Sequence, residues 1–324
     1  MPGLLIMRIL DKIENRIHYE YNRMYEKQVK KIKNSNWYHG LFPHLYEYER
    51  LKKNSDILCI GSSPAKFSID FKDEANVQAY NLAILPETIY YDFQVVKNYH
   101  SFLKPGGLIV LVLCPFTFLK DKYTEENGSK TYLNIRYYPI LHRAMIDNFD
   151  YSIYHKYVEN PLLLGINAWK RLIKDTPKGT SYDVTTNSMT DQQMQESADK
   201  RVNGWKKEFG LVDLNPQNIP DNIKNAIDGN IRIYQDMVSF IRERGYKCVA
   251  VVPPFSKELT ERLPKGFIDY TLKCPLGKIG IPYISYLGIE EWLGKELYKD
   301  CFLMNASGRK KLTHDLLLRI HETL

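Results

Sequence analysis

Residues 56–70 read DILCIGSSPAKFSID, and the fold turns on them. An apolar run, DILCI, stops at Gly61-Ser62-Ser63, and a proline follows. A short continuous apolar run bounded by turn residues predicts a strand buried on both faces. The same rhythm repeats downstream. VQAYNLAI (77–84) is a second strand and LIVLVLC (108–114) a third. Between them PETIYYDFQVVKNYHSFL (86–103) predicts a helix, with Pro86 and Glu87 suited to its first turn. KPGG (104–107) reads as the turn into the third strand.

The rhythm pauses over residues 115–228 and then resumes. NIRIYQDMVSFIRERG (230–245) predicts a helix closed by Gly245. KCVAVV and PYISYL (282–287) are further strands, and residues 306–323 form a last helix. Strands that alternate with helices predict one α/β domain over 51–324, doubly wound around a mostly parallel, five-stranded, flavodoxin-like sheet. Residues 115–228 are then an insertion. It contains the helix-like YYPILHRAMIDNF and a polar stretch at 174–204, long for a compact loop and read as a lid, insertion or disordered segment.

Residues 1–50 form a separate helical segment. From Arg8 to Lys33 there is no Gly or Pro, and Ile9, Ile13, Ile17 and Tyr21 recur every four residues. The resulting apolar stripe is expected to pack on the body of the protein or on a second copy, so a homo-oligomer through this helix is one expectation. The basic end, Lys27 to Lys33, reads as a solvated face.

Composition narrows the classes. The 324 residues are 44% hydrophobic and 26% charged, as in ordinary globular chains. A net charge of +7 favours anionic partners only weakly, and no basic-aromatic module points to nucleic acid. The 24 tyrosines suit sugar or interface contacts, although most are ordinary half-buried residues. Cys59, Cys114, Cys248, Cys274 and Cys301 show no metal-binding spacing, which argues for a reducing, cytoplasmic setting and against a zinc site. No stretch reaches the ~20 apolar residues of a membrane span. No cofactor is expected, and Gly61 lacks the Gly-Lys-Ser/Thr ending of a P-loop.

Ligands of open parallel sheets bind beyond the carboxyl ends of the strands. Gly61-Ser62-Ser63, the segment around Asn81 and Cys114-Pro115-Phe116 converge there. So does the last loop, YKDCFLMNASGRKKLT (298–313). A strand ending in Gly-x-Ser, followed near the C-terminus by Asp300, Asn305 and Gly308 before a final helix, resembles the SGNH/GDSL hydrolase superfamily. It is most similar to divergent bacterial members associated with surface-polysaccharide acylation. The resemblance spans about 51–118 and 230–324. It implies an acyl esterase or transferase acting on a small-molecule or glycan substrate. Ser63 falls on the nucleophile and Asp300 on the acid that orients the base. Gly61, Ser62, Asn81 and Asn305 are the oxyanion or substrate-binding candidates.

Three positions depart from that pattern. Leu303 stands where the family has its His, and leucine cannot accept a proton. Pro86 falls where a glycine N–H serves the oxyanion, and proline has no N–H. Phe116 falls near the place of an oxyanion-binding Asn. Each lost oxyanion donor is worth roughly 3–4 kcal/mol of transition-state stabilisation. A substitute base would come from His142, His155 or His314. His321 and Lys310 flank His314, and Asp121, Asp147 and Asp150 read as surface charges. The chain is thus expected to be either an altered enzyme or a binding relative without catalysis. A second resemblance, of ILCIGSSPA with FLKPGGLIVLVL, is to class I S-adenosylmethionine methyltransferases. In that reading Gly61 lies close to the cofactor, but AYNLAI supplies no acidic residue for its ribose.

Overall fold

The computed structural model describes residues 2–85, 87–120, 131–164 and 189–323. The chain divides into two compact units: residues 1–46 with 134–181, and 47–133 with 182–324. Part of the long insertion therefore groups with the N-terminal helices.

In chain order the main elements are α1 (Pro2–Lys33), α2 (Asn36–Leu41), α3 (Leu45–Arg50), β1 (Ser55–Gly61), α4 (Ser63–Lys66), β2 (Ala79–Asn81), α5 (Ile89–Tyr99) and β3 (Leu103–Val112). They continue with α6 (Asp191–Glu208), α7 (Asp221–Glu243), β4 (Lys247–Val252), β5 (Tyr283–Ser285) and α8 (Ala306–Thr323).

In the first unit, Ser35 caps α2 by accepting a hydrogen bond from the Tyr38 N–H at 3.2 Å. Tyr38 is buried and donates its hydroxyl to the Tyr157 carbonyl at 2.8 Å, while Phe42 meets Tyr157 edge-on. These contacts tie the two chain segments of this unit together. The expected helix over YYPILHRAMIDNF is absent. Thr131–Tyr137 and Arg143–Met145 are 3₁₀ turns.

The second unit holds a five-stranded, fully parallel sheet in the order β2-β1-β3-β4-β5. This is the flavodoxin-like 2-1-3-4-5 order of a doubly wound fold, as the alternating pattern predicted. Leu58, Cys59, Ile60, Val110, Val249 and Val251 are all at most 1% exposed, because helices cover both faces. α5 packs on β1 and α7 on β4, and Phe93 and Phe240 join the two helices edge to face. KPGG lies within β3, yet the strand is not regular there. Its partners step from Ser55↔Leu103 to Ile57↔Leu108, so Lys104–Gly107 bulge out, with Gly106 at φ +70°. KPGG is thus a bulge within the strand rather than the turn leading into it.

The polar stretch 174–204 falls outside the described residues up to Ser188. From Asp191 onward it is helix α6, an ordered segment rather than a disordered one. Thr190 and Gln193 form a capping box, and Met194, Ala198 and Trp205 are buried along one stripe. Sparse apolar residues at helical spacing were enough to order it. Among the described residues no helix is long and apolar enough to cross a membrane.

Candidate functional site

β1 delivers Gly61-Ser62-Ser63 to the carboxyl end of the sheet. Gly61 has φ +143°, and a Cβ there would sit 2.7 Å from the Val112 carbonyl oxygen. Glycine is thus required for the end of β1 to lie against β3. Ser62 precedes α4, and its Oγ accepts a hydrogen bond from the Glu87 N–H at 3.1 Å. Ser63 is the first residue of α4 and is half-buried. Among the described residues, no side chain hydrogen-bonds its hydroxyl. A nucleophile poised for proton transfer needs such a partner within about 3 Å.

Asn81 is brought beside this loop but is fully employed there. Its amide donates to the Ala65 and Ile69 carbonyls, both at 2.8 Å, and its Oδ1 accepts from the Ala83 N–H. Both side-chain donors hold the α4 segment onto β2. None is left for an oxyanion.

The C-terminal loop is also committed to its own shape. Asp300 Oδ1 accepts from the Phe302 and Leu303 N–H groups, both at 2.8 Å. Its Oδ2 lies 3.9 Å from the Arg201 guanidinium, which rests over the Phe302 ring. No hydrogen bond links Asp300 to Ser63. Leu303 closes the turn with its carbonyl, which accepts from Lys299 at 2.7 Å. Asn305 caps α8, with Oδ1 accepting from the Gly308 N–H at 2.9 Å and Nδ2 donating to the Glu296 carbonyl at 2.6 Å. Gly308 is needed because a Cβ would run into the Leu297 carbonyl. Asp300, Asn305 and Gly308 therefore build the entry to the last helix.

The other candidates are occupied elsewhere. Phe116 is wholly buried and stacks on Trp205 at 4.0 Å between ring centroids. His142 and His155 belong to the first unit. There His142 accepts from the Ala144 N–H and His155 pairs with Glu159 at 2.9 Å. Asp150 caps a helical turn through Ser152 and Ile153. His314 is exposed, 3.6 Å from Glu74, and Lys310 pairs with Asp73. Pro86 and Asp121 fall outside the described residues.

One cluster was not anticipated. Glu87 and Asp92 are 2% and 5% exposed, and their carboxyl groups are close enough to interact. Two carboxyl groups buried side by side favour a proton on one of them. Burial pushes the Asp92 carboxyl up to about 7, against the opposing effects of the Glu87 hydrogen bond and the Lys120 charge. Glu87 Oε2 accepts from the Ile84 N–H, and the Glu87 N–H reaches Ser62, so the pair sits directly behind the serine loop. Thr88 is the N-cap of α5, which makes Glu87 N′ and Asp92 N4. Apolar residues usually meet at those two positions. Two acids five apart around a helix start were the signal available in the sequence.

A cleft of about 220 Å³ runs along the outer edge of β2. Glu47, Arg50, Asp70, Lys72, Glu74 and Tyr80 are among its polar lining residues. Among the described residues, no group of three or more His, Cys, Asp and Glu side chains is placed to hold a metal ion.

Compared with known proteins, the chain matches no family model and no curated sequence.

Proposed function

We infer that the chain is an SGNH-like protein of carbohydrate or surface-polysaccharide metabolism that binds a glycan without ordinary serine-hydrolase catalysis. The observation that carries this reading is the use made of Asp300. The residue expected to orient a catalytic His instead accepts the N–H of Leu303, the residue standing in that His position, at 2.8 Å. A hydroxyl with no base is a poor nucleophile, so Ser63 has no route to an acyl intermediate. Two of the proposed oxyanion side chains, Asn81 and Asn305, are spent on backbone carbonyls. The β2 cleft supports binding of a small polar ligand, because its lining is charged and able to hydrogen-bond on several sides.

Nothing favours the methyltransferase reading over this one. The close approach that Gly61 permits is to the Val112 carbonyl of the neighbouring strand.

The test has two arms. Full-length protein is treated with a fluorophosphonate probe and assayed with p-nitrophenyl acetate. It is also screened against a panel of mono- and disaccharides by saturation-transfer NMR. The reading expects no labelling, no turnover above buffer, and saccharide signals weakened by Arg50→Ala. Labelling or turnover abolished by Ser63→Ala would overturn it, as would the absence of any saccharide signal.

A further inference from the structure

Among the described residues, the first helix from Lys12 to Met24 carries apolar side chains that nothing covers. Every side chain of α1 from Lys12 to Met24 is exposed. Ile13, Ile17, Tyr21 and Met24 are 50%, 65%, 59% and 60% exposed. The expectation that this stripe packs on its own domain is therefore not met over these residues. Helical stretches in water gain most of their stability from a packed apolar face. A contiguous exposed row of this kind marks an interaction surface.

The spacing of the row identifies its occupant. Ile6, Leu10, Ile13, Ile17, Glu20 and Met24 follow one another at gaps of four, three, four, three and four. That alternation is the seam of a two-stranded coiled coil, two positions in seven. Glu20 is the one polar seam residue of the six. It is partly neutralised by Arg23 of the same helix at 3.6 Å. A single polar seam residue fixes register at a cost in affinity.

The charges flanking the seam choose among partners. Arg16 and Arg23 lie along one edge, while Glu14 and Tyr21 lie along the other. In a parallel pair each edge faces the opposite edge of its neighbour, so Arg16 faces the neighbour's Tyr21 and Arg23 its Gln28, and no two arginines are set together. In an antiparallel pair each edge faces itself, and the arginine edge meets the arginine edge. An anionic membrane fits less well, since Glu14 and Glu20 stand beside or within the apolar row. We propose that α1 pairs with α1 of a second copy of this chain as a parallel two-stranded coiled coil.

The experiment is sedimentation velocity on the full chain over a wide concentration range. It is run on the wild type, on the Ile13→Asp, Ile17→Asp double variant and on Glu20→Leu. Because Ile13 and Ile17 are exposed, the double variant should keep its thermal midpoint as a monomer. The expected result is a concentration-dependent dimer in the wild type, a monomer in the double variant, and a dimer tightened roughly tenfold or more by Glu20→Leu. A wild type that stays monomeric, or a double variant that still dimerises, would overturn the proposal. So would a monomer that co-sediments with phosphatidylglycerol vesicles but not with phosphatidylcholine alone.

Discussion

Glu87 and Asp92 meet through their carboxyl groups at the N′ and N4 positions of α5, almost completely out of water. Two buried carboxylates side by side would repel, so one of them is favoured in its protonated form. The pair lies one hydrogen bond from Ser62, so its protonation state bears on the loop that was the first functional candidate.

The proton gives a pH prediction with a definite sign. The ordinary Asp value is 3.8, and burial raises Asp92 to about 7 in the folded chain. Between those values the folded state keeps a proton that the unfolded state releases. The stabilisation is complete below the unfolded value and is lost as pH rises through about 7. The thermal midpoint of the wild type should therefore fall between about pH 4 and 7 and level off above that, the loss being on the order of a few kcal/mol of stability. Asp92→Asn keeps a neutral group at N4 and should flatten that fall. Differential scanning calorimetry across the range checks this, and parallel pH profiles for the two proteins would refute it.

The cap of the last helix gives a second prediction. Asn305 satisfies the Gly308 N–H and donates to the Glu296 carbonyl from a 2%-exposed position. Asn305→Ala removes the cap and leaves a carbonyl without its donor. Loss of an N-cap costs ~1 kcal/mol and an unsatisfied buried group ~1–3 kcal/mol, so a loss of about 2–4 kcal/mol is expected. Asn305→Asp keeps the cap acceptor but not the donor and should fall between. Urea titrations of the three proteins make the comparison.

The same residues explain how far sequence could be read. The sheet was legible because each strand is a near-continuous apolar run covered on both faces, as in Leu58–Ile60 and Val249–Val251. The places of Ser63, Asp300, Asn305 and Gly308 along the chain were legible too. What their side chains do was not. Asn81 and Asn305 hold backbone carbonyls that come near only after folding. The Glu87–Asp92 contact was hidden because acids at a helix start are ordinarily solvated partners of the helix dipole. Helix α6 was missed because its apolar residues are few, although Met194, Ala198 and Trp205 share one stripe.

Two glycines in helices should respond oppositely to alanine. Gly204 lies in α6 with open space where a Cβ would be, so Gly204→Ala should gain up to ~1 kcal/mol from helix propensity. Gly308 lies in α8 with the Leu297 carbonyl in that space. Backbone cannot yield as a flexible side chain does, and overpacking of this sort costs ~1–3 kcal/mol. Gly308→Ala should therefore lower the denaturation midpoint while Gly204→Ala raises it. Equal effects of the same sign would show that the close approach at Leu297 is not maintained in solution.

The two serines of the β1 loop should separate in the same way. Ser62 Oγ is the acceptor for the Glu87 N–H, so Ser62→Ala leaves a part-buried donor unmet and should cost about 1 kcal/mol. Because that donor belongs to the backbone of Glu87, the loss should also disturb the carboxyl pair and change the pH profile of stability. Ser63 has no side-chain partner among the described residues, and Ser63→Ala should change stability by less than ~0.5 kcal/mol with the pH profile intact. A large, pH-dependent loss in Ser63→Ala would mean that its hydroxyl is engaged by a titrating group after all. It would then be the stronger candidate for chemistry.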